Sequence, residues 1–224
     1  DVDLALLGAK RLRHFGYNDI SYLDGGLSAW AEAGFEVFSG VNVPAKAFGE
    51  VIETRFATPH IKAAELQAMK DREENFVIVD TRPMSEFSAM SIPGGIDVPG
   101  AELVLRIYDI APDPETTVVV NCAGRTRSII GAQSLINAGI PNRVVALENG
   151  TMGWHLAGYN LDTGKVNSFS VLSDAGLIRA DECAGRVADR FGVVEIDSSI
   201  LDQWRVDKTR TLYVLDVRAV TEFN

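Results

Sequence analysis

Thr116-Thr-Val-Val-Val-Asn121 runs directly into Cys122-Ala-Gly-Arg-Thr-Arg127-Ser128, and this stretch decides the fold. The continuous apolar run at its centre is typical of a strand that is buried on both faces. Residues 122–127 then form a loop, and a helix is predicted to begin near Ser128. On either side, strands alternate with short helices, which predicts an α/β fold with a mostly parallel sheet. Chemistry in such sheets lies beyond the carboxyl ends of the strands, where Cys122 stands.

The same patterns give the remaining elements between residues 58 and 164. Helices are predicted at 63–71, 84–90, 101–109, 128–138 and 152–157, with Leu66 and Met69 on the inner face of the first. Strands are predicted at 76–80, 96–98, 116–121 and 143–146. A turn is expected at Ile92-Pro-Gly-Gly95.

Cys122 is the candidate nucleophile. At the end of a strand and before a helix, its sulfur would face backbone N–H groups and the positive end of a helix dipole. Both favour the thiolate, which is the nucleophilic form. Gly124 is expected to allow tight curvature of the loop. Arg125 and Arg127 add positive charge for a bound dianion. The alternative, a small buried hydrophobe, does not account for the charged loop.

Two internal repeats divide the chain. Leu23-Asp-Gly-Gly26 with Trp30 recurs as Leu147-Glu-Asn-Gly150 with Trp154, and the segment 76–82 with Glu86-Phe87 recurs as 212–218 with Glu222-Phe223. The repeats predict the second half of one unit at 1–50 and a complete unit at 58–164. They predict a linker helix and the beginning of a further unit at 170–224. The chain therefore has the pattern of a window from a tandem array.

The complete unit resembles the rhodanese-like (thiosulfate sulfurtransferase) family, and the half units carry matching subsets of its motifs. Four motifs in order carry the resemblance: Asp80-x-Arg82 with Glu86-Phe87, Ile92-Pro93-Gly94, the loop that opens with Cys122, and Leu147-Glu-Asn-Gly150 with Trp154. One departure is Met90-Ser91, where the family often has Gly-His. A second is Glu86, which stands where some two-domain members place a substrate-binding arginine.

The resemblance implies a rhodanese-like domain with a central, mostly parallel sheet and a ping-pong sulfur transfer. Cys122 would attack thiosulfate or a similar anionic donor and pass the sulfur from a persulfide to a thiol, cyanide or a protein acceptor. It implies no cofactor. The substrate-binding residues would be Ala123, Gly124, Arg125, Thr126, Arg127 and Ser128. Asp80 and Arg82 are expected to hold the loops around the site.

Three alternatives remain open. A cysteine phosphatase or arsenate reductase needs five residues between cysteine and arginine, whereas four separate Cys122 from Arg127. A non-enzymatic binding or regulatory module of the same fold usually lacks the cysteine. A mercaptopyruvate sulfurtransferase resembles Cys-Gly-Ser-Gly-Val-Thr in its loop and lacks the two arginines.

Composition bounds the partners and the compartment. The formal net charge of −10 argues against nucleic acid and anionic membranes, and no apolar run is long enough to span a bilayer. Two cysteines, Cys122 and Cys183, form no disulfide framework and favour a reducing, cytoplasmic location. Three histidines, His14, His60 and His155, are too scattered to predict a metal site.

Three further expectations concern residues outside the loop. Cys183 is expected to be inert within a helical stretch. Glu50 and Glu53 are interpreted as solvated linker charges. The incomplete ends are expected to expose sheet edges at 20–23 and 213–215, which would favour self-association.

Overall fold

The computed structural model describes residues 2–35, 37, 44–216 and 223. Its α-helices are α1 Val2–His14, α2 Gly26–Glu32, α3 Pro44–Phe56, α4 Ala63–Asp71, α5 Met84–Ala89, α6 Leu103–Ile110, α7 Thr126–Ala138, α8 Gly150–Leu156, α9 Asp174–Phe191 and α10 Ser198–Val206. Its strands are β1 His60–Ile61, β2 Phe76–Asp80, β3 Gly95–Asp97, β4 Thr117–Asn121 and β5 Val144–Leu147. Asp1–Pro44 and Ala45–Asn224 are two separate compact units.

In the described residues the strands form one parallel sheet in the order β1-β5-β4-β2-β3. Strand β4 is central and buried along its whole length. Asp80 pairs in register with Asn121 on one side and with Asp97 on the other. Since parallel strands end at the same edge of the sheet, Asn121, Asp80 and Asp97 lie side by side there, next to the cysteine loop. The predicted α/β class with a mostly parallel sheet is confirmed.

Helices cover both faces of this sheet. Val118 and Val120 of β4 pack into a core with residues of α6, α7 and α9, while Val119 packs into a second core with residues of α4 and α8. Alternate side chains of one strand therefore enter two different cores, which is why the run of valines is continuous. Leu66 and Met69 are buried in the second core, as predicted.

Several predicted bounds differ from the structure. Helix α7 begins at Thr126, two residues before the predicted start, so Thr126 and Arg127 belong to its first turn. Strand β1 is absent from the prediction because two residues carry no periodic pattern. Residues 21–23 and 213–215 are exposed and Ile20 is half-buried, but both segments are irregular, so the expected sheet edges are not formed there.

The segment at the end of the predicted complete unit, residues 162–168, is packed onto the sheet. Ser91 and Asp162 exchange backbone hydrogen bonds, and the amide of Asp97 donates to the carbonyl of Asn167 at 2.9 Å. Residues 162–168 therefore cover the open side of β3, an edge that would otherwise offer free backbone groups to another chain.

Helix α9 also packs on the domain. Asp109 accepts hydrogen bonds from the amide and the hydroxyl of Ser173, the N-cap of α9. Cys183 is fully buried, and its sulfur accepts a hydrogen bond from Arg186, which also donates to the carbonyl of Ala138 at the end of α7. The packed domain thus extends beyond residue 164, and Cys183 is part of its core.

Candidate active site

Cys122 follows the last residue of the central strand and is buried, with 2% of its surface exposed. Its Sγ lies 3.6 Å from Oγ of Ser128, to which the thiol donates. The Ser128 hydroxyl in turn donates to the carbonyl of Arg125 at 2.8 Å. Ser128 therefore links the sulfur to the loop backbone at the start of α7.

The loop backbone presents a row of free donors. Throughout the described ranges, the amide N–H groups of residues 123–128 find no protein acceptor; the first amide of this segment with a partner is Ile129, which donates to Arg125. The last three of these amides belong to the first turn of α7, where N–H groups have no acceptor within the helix. Consecutive free amides form a concave site for an anion. Ala123, Gly124 and Thr126, which were predicted to bind substrate, all lie in this row of amides.

Helix α8 closes over the carbonyl side of the loop. The amides of Thr151 and Met152 donate to the carbonyls of Cys122 and Ala123 at 2.8 and 3.0 Å. Gly150 has a φ of +53°, and a Cβ there would lie 2.3 Å from the carbonyl oxygen of Cys122. Gly150 thus allows the helix to approach the loop. Gly124 was expected to provide curvature. Its φ is not positive, and a Cβ there would have no neighbour within 4 Å, so the backbone does not require glycine at this position.

A buried ion pair between Asp80 and Arg82 lies beside the start of the cysteine loop. Arg82 donates to both carboxylate oxygens of Asp80 at 2.8 Å and to the carbonyl of Met90 at 2.7 Å. Asn121 donates to Asp80 at 2.7 Å and to the hydroxyl of Thr151 at 2.9 Å. These contacts tie the ends of β2 and β4 to α8, the arrangement expected if Asp80 and Arg82 act structurally.

Asp97 is a buried carboxyl group that the sequence analysis missed. Its Oδ1 has no hydrogen-bond partner among the described residues. Burial, followed by the neighbouring charge of Asp80, raises the pKa of Asp97 to about 6, although Arg82 opposes the shift. Asp97 is the last residue of β3 and pairs with Asp80, a position that could have marked it as a site residue. The strand was predicted at 96–98, one residue later than β3, so Asp97 was not recognised as a strand end.

Arg125 is held by a helix that precedes the domain. Its guanidinium donates to Glu50 at 2.8 Å and to Glu53 at shorter range. The hydrogen bond to Glu50 is the main cause that raises the pKa of Arg125. Glu50 and Glu53 lie on α3 and pair with Arg125, so their interpretation as linker charges is wrong, although Glu50 is exposed as expected.

Arg127 makes a two-pronged ion pair with Glu86, at 2.9 and 2.7 Å. This hydrogen bond is the main cause that raises the pKa of Arg127, burial opposes it, and negative charge at Cys122 raises it further. The same hydrogen bond lowers the pKa of Glu86. Of the two loop arginines, Arg127 is thus the one whose pKa is affected by Cys122.

No group of three or more His, Cys, Asp or Glu side chains that could hold a metal ion occurs in the part of the chain that the structure describes. Over the same residues, every helix falls short of the length and apolarity that a membrane crossing requires.

Residues 62–157 match the family model of the rhodanese-like domain. The chain is 54% identical to a thiosulfate sulfurtransferase from Pseudomonas aeruginosa whose crystal structure is known, with a TM-score of 0.75, over 98% of this chain and 42% of that one. It is 33% identical over 104 residues to the HTH-type transcriptional regulator Rv0324 of Mycobacterium tuberculosis, over 46% of this chain and 45% of that protein. In each comparison the match covers less than half the length of the relative.

The family match covers β2 through β5, the Asp80–Arg82 pair and the complete loop from Cys122 to Ser128. The fold and the motif positions agree with it. Residues 62–157 are a rhodanese-like domain.

Proposed function

We propose that the domain is a sulfurtransferase that carries sulfur as a persulfide on Cys122. The observation that supports this most directly is the position of the cysteine at the head of a row of unpartnered amides, residues 123–128. A persulfide ends in an anionic sulfur, and free backbone amides stabilise such an anion without a side-chain acid.

The proposed transfer has two half-reactions. The Cys122 thiolate attacks the outer sulfur of thiosulfate, the S–S bond of thiosulfate breaks, and sulfite leaves with the electron pair. The product is the Cys122 persulfide anion. In the second half-reaction an acceptor such as cyanide, a thiol or a protein thiol attacks the outer persulfide sulfur and restores the thiolate.

Arg127 is the loop cation best placed to favour an anionic donor, because its charge is coupled to that of Cys122. In the resting state the Ser128 hydroxyl accepts a hydrogen bond from the Cys122 thiol. Deprotonation removes that donor and leaves the sulfur facing the loop amides.

A second candidate function is a regulatory module that binds or senses sulfur without turnover. The observation that favours it is the similarity to a protein named as a transcriptional regulator. Turnover distinguishes the two functions, since a regulatory module would form no product with an added acceptor.

Intact-mass spectrometry tests the assignment. Incubation with thiosulfate should add about 32 Da, the mass of one persulfide sulfur. Cys122→Ser should abolish this gain, and release of the added mass by cyanide would show the second half-reaction. Cys183→Ser is the matched control, because Cys183 is a residue of α9 that is buried in the core. A mass gain that persists in Cys122→Ser would contradict the assignment.

A further inference from the structure

Helix α3 lies outside the matched domain, 62–157, yet it contacts the cysteine loop. Glu50 and Glu53, one turn apart, both accept hydrogen bonds from Arg125. Gly49 is buried on the same side of the helix, and a Cβ there would lie 2.9 Å from the methyl group of Thr126. Close approach and paired charges therefore fix α3 against the first turn of α7.

This contact changes the charge that a donor meets. The loop carries two arginines, and three carboxylates bind them: Glu50 and Glu53 bind Arg125, and Glu86 binds Arg127. The side chain of Glu53 is 18% exposed, so part of this charge is shielded from water. Both arginines are therefore already paired with carboxylates, which outnumber them by one negative charge.

We propose that Glu50 and Glu53 are specificity-determining residues that bias the site against small dianionic donors and towards donors of lower charge. The inference rests on the proposed sulfur transfer at Cys122. A dianion near the loop is repelled by the two carboxylates and competes with them for Arg125. A monoanion with the same reacting S–S bond meets half of that repulsion.

Thiosulfate and methanethiosulfonate form a suitable pair of donors. With thiosulfate, the thiolate takes the outer sulfur and sulfite leaves as a dianion. With methanethiosulfonate, the same bond forms, the same S–S bond breaks, and methanesulfinate leaves as a monoanion. Both reactions give the identical Cys122 persulfide, so a difference between the donors reports on charge outside the bond that reacts.

The test compares kcat/KM for the two donors in the wild-type chain and in Glu50→Gln/Glu53→Gln. The double substitution should raise the thiosulfate-to-methanethiosulfonate ratio about threefold to tenfold, a modest factor because the ion pairs are partly exposed. Glu115→Gln/Glu182→Gln is the matched control. It removes the same charge from two exposed side chains with no contact to the loop, and its ratio should stay unchanged.

A second variant moves the helix without changing charge. Gly49→Val places methyl groups where Thr126 now packs, so α3 must shift away from the loop. It should also raise the ratio, and far-ultraviolet circular dichroism should show the fold retained.

An unchanged ratio in both variants, with persulfide still formed on Cys122, would overturn this inference and leave the sulfurtransferase proposal standing. If neither donor forms a Cys122 persulfide in any of the chains, both proposals are wrong. High salt provides an internal check, because screening should reduce the difference between wild type and the charge variant.

Discussion

Arg125 and Arg127 show how two residues of one type in one loop take different roles. Both were expected to bind a dianion, but the structure commits Arg125 to α3, whereas Arg127 is the one coupled to Cys122. Their spacing explains the difference. Arg125 is the N-cap of α7 and Arg127 lies within its first turn, so the two side chains leave the helix in different directions.

Replacing Arg127 by Ala should lower kcat/KM for thiosulfate about tenfold, the lower end of the range for a charged hydrogen bond, since the side chain is half-exposed. The loss for methanethiosulfonate should be smaller. Steady-state kinetics with both donors measures this, and Arg127→Lys, which keeps the charge, should recover part of the activity. Equal losses for both donors would mean that Arg127 shapes the loop through Glu86 instead.

At the scale of elements, the site depends on two helix starts that meet at one loop. The first turn of α7 supplies free amides, and the first turn of α8 binds the loop carbonyls. The loop thus uses its carbonyl groups to bind α8, while its N–H groups stay free. The peptide units that follow Cys122 and Ala123 are thereby oriented with their carbonyls towards α8.

Gly150→Ala should disrupt this arrangement, because its methyl group would lie 2.3 Å from the carbonyl oxygen of Cys122. We expect a loss of about 1–3 kcal/mol in the free energy of unfolding and slower persulfide formation. Gly158→Ala is the control, since Gly158 also has a positive φ but a Cβ there would have no neighbour within 4 Å. Urea denaturation and time-resolved mass spectrometry measure the two effects. Similar losses in both variants would attribute the effect to φ alone.

The sequence predicted the elements whose signal is local. Helix α4 and strand β2 have the predicted bounds, because their apolar patterns are complete within one segment. The contact of Glu50 with Arg125 joins residues 75 positions apart and leaves no periodic trace in either segment. Likewise, spacing alone could not indicate that Gly150 and not Gly124 is the glycine that close packing requires.

At the scale of the whole molecule, the buried row Asn121, Asp80 and Asp97 couples stability to pH. The guanidinium of Arg82 pairs with Asp80, and Asp97 is left without a hydrogen bond at Oδ1. Its folded-state pKa of about 6 lies above the ordinary value of 3.8. The protonated form is therefore favoured by folding, and the associated stability is complete below about pH 4 and lost as pH rises through 6.

Asp97→Asn should therefore raise the free energy of unfolding at pH 8 by up to about 3 kcal/mol relative to wild type, with a much smaller gain at pH 4. Urea denaturation at both pH values measures the difference. Asp181→Asn, an exposed position on α9, controls for the change in net charge. A difference between wild type and Asp97→Asn that is constant from pH 4 to pH 8 would contradict the shifted pKa.

The closure of the loop by α8 also has a consequence for the nascent chain. The ribosome releases Cys122 roughly 28 residues before Gly150, which at usual elongation rates is a delay of about 1.5–6 s. During that interval α8 has not yet emerged to bind the loop carbonyls, so the segment around Cys122 is outside the ribosome without the helix that closes over it. Cys122, the sulfur carrier proposed above, is therefore exposed first in an unfinished polypeptide and is buried only after α8 has followed.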